Sequence, residues 1–326
     1  GDATFGGSTD LVLSGSIQVG QDGGGSTRNL TQNNTAGLLI VTGSLVDSAS
    51  GGKGNLNKFG SGALVLQPAS KPNTYSGMTT INAGAIVVNS DSAIPAASQI
   101  VFSGGNLAFW NAVPVQPVYR YVVPVTAPVP TMTTNRDYLF NGNGTFDIGA
   151  GLTLTQAVTS TFSGQGILQK SGMGTMVLNG LNPVAATTVL GGVLSVSGDG
   201  QLGDTVANGA ITLNSSNALA PAALLVTNSF ATPRALTLSA NGAVDVAAGA
   251  TLTTSGVNSG TFVKTGLGTL FETAGVSTMT ALTISSGGVF AANTATPFSG
   301  TAAITLNGGT LSFFQPANVG TLAISA

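Results

Sequence analysis

Lys58-Phe-Gly60-Ser-Gly62-Ala-Leu64-Val-Leu66 is the line that decides the fold, because the chain writes it again. It returns as Lys170-Ser-Gly172-Met-Gly174-Thr-Met176-Val-Leu178 and as Lys264-Thr-Gly266-Leu-Gly268-Thr-Leu270. Each copy is followed by a second line: Thr80-Ile81-x-x-Gly84-x-Ile86, Thr188-Val189-x-x-Gly192-x-Leu194 and Thr283-Ile284-x-x-Gly287-x-Val289. Each is preceded by a lone arginine, Arg28, Arg136 and Arg234. A repeat of this kind buries its apolar face only against its neighbours, so the chain reads as a solenoid.

Working outward, the remaining sequence is short apolar runs punctuated by Gly, Asn, Ser and Asp. Leu38-Leu-Ile-Val41, Ala85-Ile-Val-Val88, Ile100-Val-Phe102 and Ile211-Thr-Leu213 are examples. Such runs are strands with turns between them. No sustained helical periodicity occurs and glutamate appears once, at Glu272, so helix content should be near nil. Several strand-turn modules in each long repeat suit a parallel β-helix. We expect an all-β chain, one β-solenoid over residues 1–326 built from about three long repeats, with Leu64 and Leu66 on one side of their strand and Ala63 and Val65 on the other.

One stretch breaks the pattern. Residues 111–135 are rich in Pro, Val and Tyr, and proline cannot donate to a central ladder, so an inserted arm is expected there. Its apolar members Val113, Pro114, Val118, Tyr119, Tyr121, Val123 and Val125 are the candidates for contact with a neighbouring copy, with folding back over the chain's own solenoid as the alternative.

Composition narrows the function. The chain is 42% hydrophobic and 6% charged, which excludes disorder and leaves a surface of Ser, Thr, Asn and Gly. A net charge of -2 with scattered basic residues leaves no stripe for phosphates, so nucleic acid is not an expected partner. With neither Cys nor His, thiolate and imidazole chemistry lose their instruments. No apolar stretch reaches the roughly 20 residues of a membrane helix. The chain opens at Gly1 rather than Met and no signal peptide is visible in it, so the expectation is a processed or excised segment.

The Lys-x-Gly-x-Gly-x-Leu-x-Leu lines, with Asn73-Thr-Tyr-Ser-Gly77-Met-Thr-Thr-Ile81-Asn-Ala-Gly84 behind the first, resemble the autotransporter-associated β-strand repeat. The resemblance covers most of the chain from Arg28 to Val289, most closely in the first copy. It implies a right-handed parallel β-helix outside the cell, at a bacterial surface or exported, and it implies no catalytic residue.

The polar residues of the repeat read as scaffold. Lys58, Lys170 and Lys264, beside Gly60, Gly62, Gly172, Gly174, Gly266 and Gly268, are expected as solvated or capping lysines, with a groove for anionic glycans as the alternative. Arg28, Arg136 and Arg234 are expected to hold turn carbonyls. Asp147 and Asp245, each eleven residues after an arginine, are optional ion-pair partners for it, since the first unit has Leu39 at that spacing. Asp199-Gly-Gln-Leu-Gly-Asp204 reads as a turn, or as a thin calcium site. Ser50-Gly-Gly-Lys53 matches a Ser-x-x-Lys string in a Gly-rich turn, without the further motifs that acyl chemistry needs.

No cofactor is expected and no enzyme. Ends that look like strands, low charge and the arm point first to a structural solenoid that associates head to tail into a fibre, sheath or surface layer. The alternative is a monomeric adhesin passenger displaying a binding loop, with cell-surface glycans as partner. A polysaccharide-cleaving enzyme, which needs clustered carboxylates, ranks third.

Overall fold

In the structure, a computed structural model, the described residues are 2–20, 26–33, 35–68, 71–110, 131–239, 241–273, 277–291, 302–313 and 321–324. They form two compact units, Gly1–Leu168 and Gln169–Ala326. Both are parallel β-solenoids. The helix among the described residues amounts to two single 3-10 turns, Asp91–Ala93 and Asp199–Gln201.

In the first unit one sheet runs Ala3–Phe5, Ser26–Gln32, Gly54–Phe59, Thr79–Ile81, Ile100–Phe102, Tyr138–Phe140 and Phe162–Ser163, each strand hydrogen-bonded to the next. A second face stacks Leu11–Leu13, Leu39–Val41, Ala63–Leu66, Ala85–Val88, Asn106–Phe109 and Gly144–Ile148 in parallel. Register places like on like: Leu39, Leu64, Ile86, Leu107 and Phe146 form one interior column. Val41, Leu66, Val88, Phe109 and Ile148 form the next. A one-residue slip would turn every one of these side chains to the other face, so the apolar columns fix the register.

The expected alternation holds, with an addition. On the opposite side of the same strands Ile40, Val65, Val87 and Ala108 are also buried, together with Leu38, and Trp110 packs against them. The interior becomes aromatic toward the end of the unit, where Phe102 and Phe140 stack at 4.9 Å and Tyr138 meets Phe162 edge-on at 4.9 Å. Phe146 and Phe162 stack at 5.2 Å.

The second unit repeats the plan. Met176, Leu194, Leu224 and Val244 form a column, as do Leu252, Leu270, Val289 and Leu311. Phe262, Leu282 and Ile304 form a third, and the register shifts between Gly260 and Thr261 where the strand Ser259–Thr265 turns from one stack to another.

The residues proposed for the arm divide. Thr131–Thr134 is a strand of the solenoid, parallel to Thr153–Gln156 with Met132 opposite Leu154. Val113, Pro114, Val118, Tyr119, Tyr121, Val123 and Val125 lie outside the described residues.

Candidate functional site

The repeated lysines are neither solvated nor lining a groove. Lys58, Lys170 and Lys264 have no exposed surface at all. Each follows the inward alternation of its strand, so its aliphatic stem enters the interior and its ammonium returns to the turn that follows. There it donates to three carbonyls. Lys58 Nζ reaches Phe59 O at 2.8 Å, Gly60 O at 2.9 Å and Ala83 O at 3.1 Å. Lys170 Nζ reaches Ser171 O at 2.7 Å, Gly172 O at 3.0 Å and Gly191 O at 2.9 Å. Lys264 Nζ reaches Thr265 O at 2.5 Å, Gly266 O at 2.8 Å and Ser286 O at 3.4 Å.

Two carbonyls come from the lysine's own turn and the third from the turn of the next coil, so one ammonium ties two coils together. An ammonium has three donors, and here three acceptors meet them. Burial pulls Lys58 and Lys264 down to about 8, still above neutrality. The three carbonyls favour the charged form.

The glycines make the nest possible. Gly60, Gly172 and Gly266 take φ of +77°, +73° and +73°, which turns the chain so that its carbonyls converge on the ammonium. Gly84, Gly192 and Gly287, in the second line of the repeat, have φ of +63°, +66° and +68° and press against the carbonyls of the preceding turn.

The arginines build a second device, present twice. Arg234 is fully buried, and its Nε meets Asp199 Oδ1 at 2.8 Å. Its Nη2 donates to Gly203 O and Asp204 O, both at 2.9 Å, and Nη1 donates to Gly209 O at 3.2 Å. Arg136 repeats this on the other 3-10 turn, with Nε at 3.0 Å from Asp91 Oδ1, Nη1 on Pro95 O and Ser98 O, and Nη2 on Asp91 O and Ile94 O. Both backbones are held the same way: Thr134 Oγ1 accepts from Arg136 N, and Thr232 Oγ1 from Arg234 N.

The expectation of Asp147 and Asp245 as partners is therefore corrected. The carboxylates that pair are Asp91 and Asp199, which lie on the 3-10 turns beneath the guanidinium, whereas Asp147 and Asp245 lie on the strands Gly144–Ile148 and Gly242–Val246. The sequence did carry the signal, since Asp91 and Asp199 each stand seven residues after Gly84 and Gly192. Arg28 differs from the other two, standing within the strand Ser26–Gln32 opposite Leu56.

This geometry also corrects the calcium reading of Asp199–Asp204. The cation at that turn is a guanidinium, which takes the Asp199 carboxylate and the carbonyl oxygens of Gly203 and Asp204. The Asp204 carboxylate caps its own loop through Val206 N at 2.8 Å. Among the described residues no group of three or more metal-ligating side chains occurs. Ser50 hydrogen-bonds with Ser48 inside a turn while Lys53 is exposed, so that string assembles no nucleophile and base. Among the described residues no helix is long and apolar enough to cross a membrane.

Comparison with known proteins places this geometry. The passenger-associated-transport-repeat matches residues 56–88 and 168–196, which hold the first two lysine nests. The chain is similar to the adhesin BmaC autotransporter of Brucella suis biovar 1 (strain 1330), 32% identical over 276 residues. That alignment covers 81% of this chain and 8% of the adhesin, so the chain spans a small part of its relative's length. No solved structure matches the chain.

Proposed function

The chain belongs to the proteins that carry the autotransporter passenger repeat, and from that premise we propose that it is a passenger segment of an exported, cell-surface adhesin. The observation that carries this reading is how the repeat spends its polar residues. Lysines and arginines that could have served chemistry are consumed in binding turn carbonyls, which makes a rigid scaffold and leaves its turns to vary.

The second unit offers contact points on such turns. Leu181, Val206, Leu219 and Leu267 stand 70%, 88%, 81% and 74% exposed. A side chain on a turn can change without disturbing the stacked strands, so partner choice can evolve there. With a net charge of -2 on the whole chain, the partner class is an uncharged or weakly charged cell surface, its glycans included.

The test uses the full chain on polystyrene beads over epithelial cell monolayers. Beads should adhere well above albumin-coated controls, soluble chain should compete, and the triple variant Leu181→Ser, Leu219→Ser, Leu267→Ser should lose adherence while keeping its β circular dichroism. Adherence equal to albumin would sink the adhesin reading. Sedimentation velocity on the same protein addresses the fibre reading: growth of mass with concentration supports a head-to-tail polymer, and a constant monomer rejects it.

A further inference from the structure

Glu272, the single glutamate of the chain, is buried where its carboxylate meets no cation among the described residues. It ends the strand Thr269–Glu272 and alternates inward with Leu270, and the residue is 2% exposed. In the stack it lies between Thr254 of the preceding coil and Ala291 of the following one. Both carboxylate oxygens accept from one amide nitrogen, Asn258 Nδ2, at 2.7 Å each. The same nitrogen is 3.0 Å from Thr254 Oγ1, and Ser277 Oγ reaches Glu272 Oε2 at 3.5 Å.

Among the described residues its surroundings are neutral. The groups acting on the carboxyl are Asn258, Thr254 and Ser277. The strands packed on either side, Thr251–Thr254 and Gly288–Ala291, carry no titratable side chain, and neither do residues 273–277. Lys264, eight residues earlier, is committed to the carbonyls of Thr265, Gly266 and Ser286, and Arg234 to Asp199. Asp91 and Asp199, by contrast, each meet a guanidinium.

An ionised carboxylate inside a protein is stable when a cation or several donors compensate it. Here one amide serves both oxygens, the hydroxyls of Thr254 and Ser277 add to it, and none of the three carries a charge. We propose that Glu272 is a proton-controlled latch in the second unit: neutral, it packs as a polar core residue, and ionised, it loosens the coils stacked around it.

Burial pushes its carboxyl up from 4.5 to about 7, against the opposing hydrogen bonds of Asn258, Thr254 and Ser277. The folded value lies above the unfolded one, so the stabilisation is complete below the unfolded value and is lost as pH rises toward 7. Above that pH the penalty is fully in place. Local opening of residues 251–291 should rise on the order of 100-fold between pH 4.5 and 7.5, since linkage allows up to tenfold per pH unit.

Hydrogen exchange of the full chain at pH 5 and pH 8, corrected for intrinsic rates, reads this opening. Peptides from 251–291 should show the large increase in wild type, and Glu272→Gln should abolish it while being better protected at pH 8. The same pH difference in the variant, or none in wild type, would overturn the latch. Should the variant fail to fold, wild type still decides. Glutamate labelled with ¹³C gives one side-chain carboxyl resonance in this chain, and a midpoint near 7 supports the latch while one near 4.5 rejects it.

Discussion

Gly84 lies against the Lys58 ammonium with no room for a methyl group. A Cβ built there would stand 2.9 Å from Lys58 Nζ and 2.4 Å from the carbonyl oxygens of both Gly60 and Gly62. Gly192 bears the same relation to Lys170, with Nζ at 2.7 Å. The second line of the repeat thus carries its glycine where the carbonyls of the lysine's own turn come closest. Gly84→Ala or Gly192→Ala combines left-handed backbone strain with a broken nest and should cost about 3 kcal/mol. Gly151, at φ +76° with nothing within 4 Å of a Cβ, isolates the strain, and Gly151→Ala should cost about 1 kcal/mol. Urea midpoints of the three variants measure the difference; equal shifts would show that the nest adds nothing.

The lysine can be removed as well. Lys170→Met keeps the apolar stem and leaves the carbonyls of Ser171, Gly172 and Gly191 without their donor. A loss of about 3 kcal/mol is expected, because hydrogen bonds from a charged group are the strong ones and the Gly191 carbonyl is left buried without this donor. Lys170→Arg should not rescue it, since a planar guanidinium cannot fill a three-way point built for an ammonium. Lys53→Met, at an exposed site, is the control and should move stability by less than about 0.5 kcal/mol.

How much of this was legible follows from how far apart the cooperating residues lie. Leu64, Leu66, Ile86 and Val88 announce the interior because alternation is local and recurs every coil. The lysine nest was half visible: Lys58 beside Gly60 marks a turn, but a lysine near glycines reads equally as solvated or as capping until the next coil brings Ala83 O onto its ammonium. The arginine clamp was further out of reach, since Arg136 finds Asp91 45 residues away and Arg234 finds Asp199 35 away. Eleven-residue spacing to Asp147 and Asp245 was the wrong measure, because coils of unequal length set which residues meet. The spacing that persists is seven residues, from Gly84 to Asp91 and from Gly192 to Asp199.

The two clamps should therefore respond alike to substitution. Removing Asp199 leaves the buried Arg234 guanidinium with carbonyl partners alone, and Asp199→Asn should cost about 3 kcal/mol, as does stripping one member from a buried pair. Arg234→Met should cost a similar amount, and the double variant should cost less than the sum of the two. Asp91→Asn with Arg136→Met should give the same non-additivity. Arg28→Met tests the contrast: Arg28 is half-buried and lies inside a strand, so a change below about 1 kcal/mol is expected. Double-mutant cycles from urea unfolding give each coupling, and additive costs at the clamps would reject the shared role.

Two carboxylates should give the chain opposite pH limbs. Burial pushes the Asp47 carboxyl up, but hydrogen bonds from Ser76 and Gly54 outweigh it and hold the group below its ordinary value. Its oxygens accept from Ser76 Oγ at 2.6 Å, Ser76 N at 3.1 Å and Gly54 N at 2.8 Å, joining two coils. With the folded value below the unfolded one, Asp47 contributes stability above about pH 4, and that contribution is lost as pH falls through the folded value. Glu272 works in the other direction, with its stability present in acid and lost toward pH 7. Below about pH 8, where Lys58 and Lys264 stay charged, stability measured by urea should thus peak on the acid side of neutrality. Asp47→Asn should lower the peak and flatten the limb below pH 4, and Glu272→Gln should flatten the limb between 4.5 and 7. If either variant flattens the limb assigned to the other, these two carboxylates do not govern the profile.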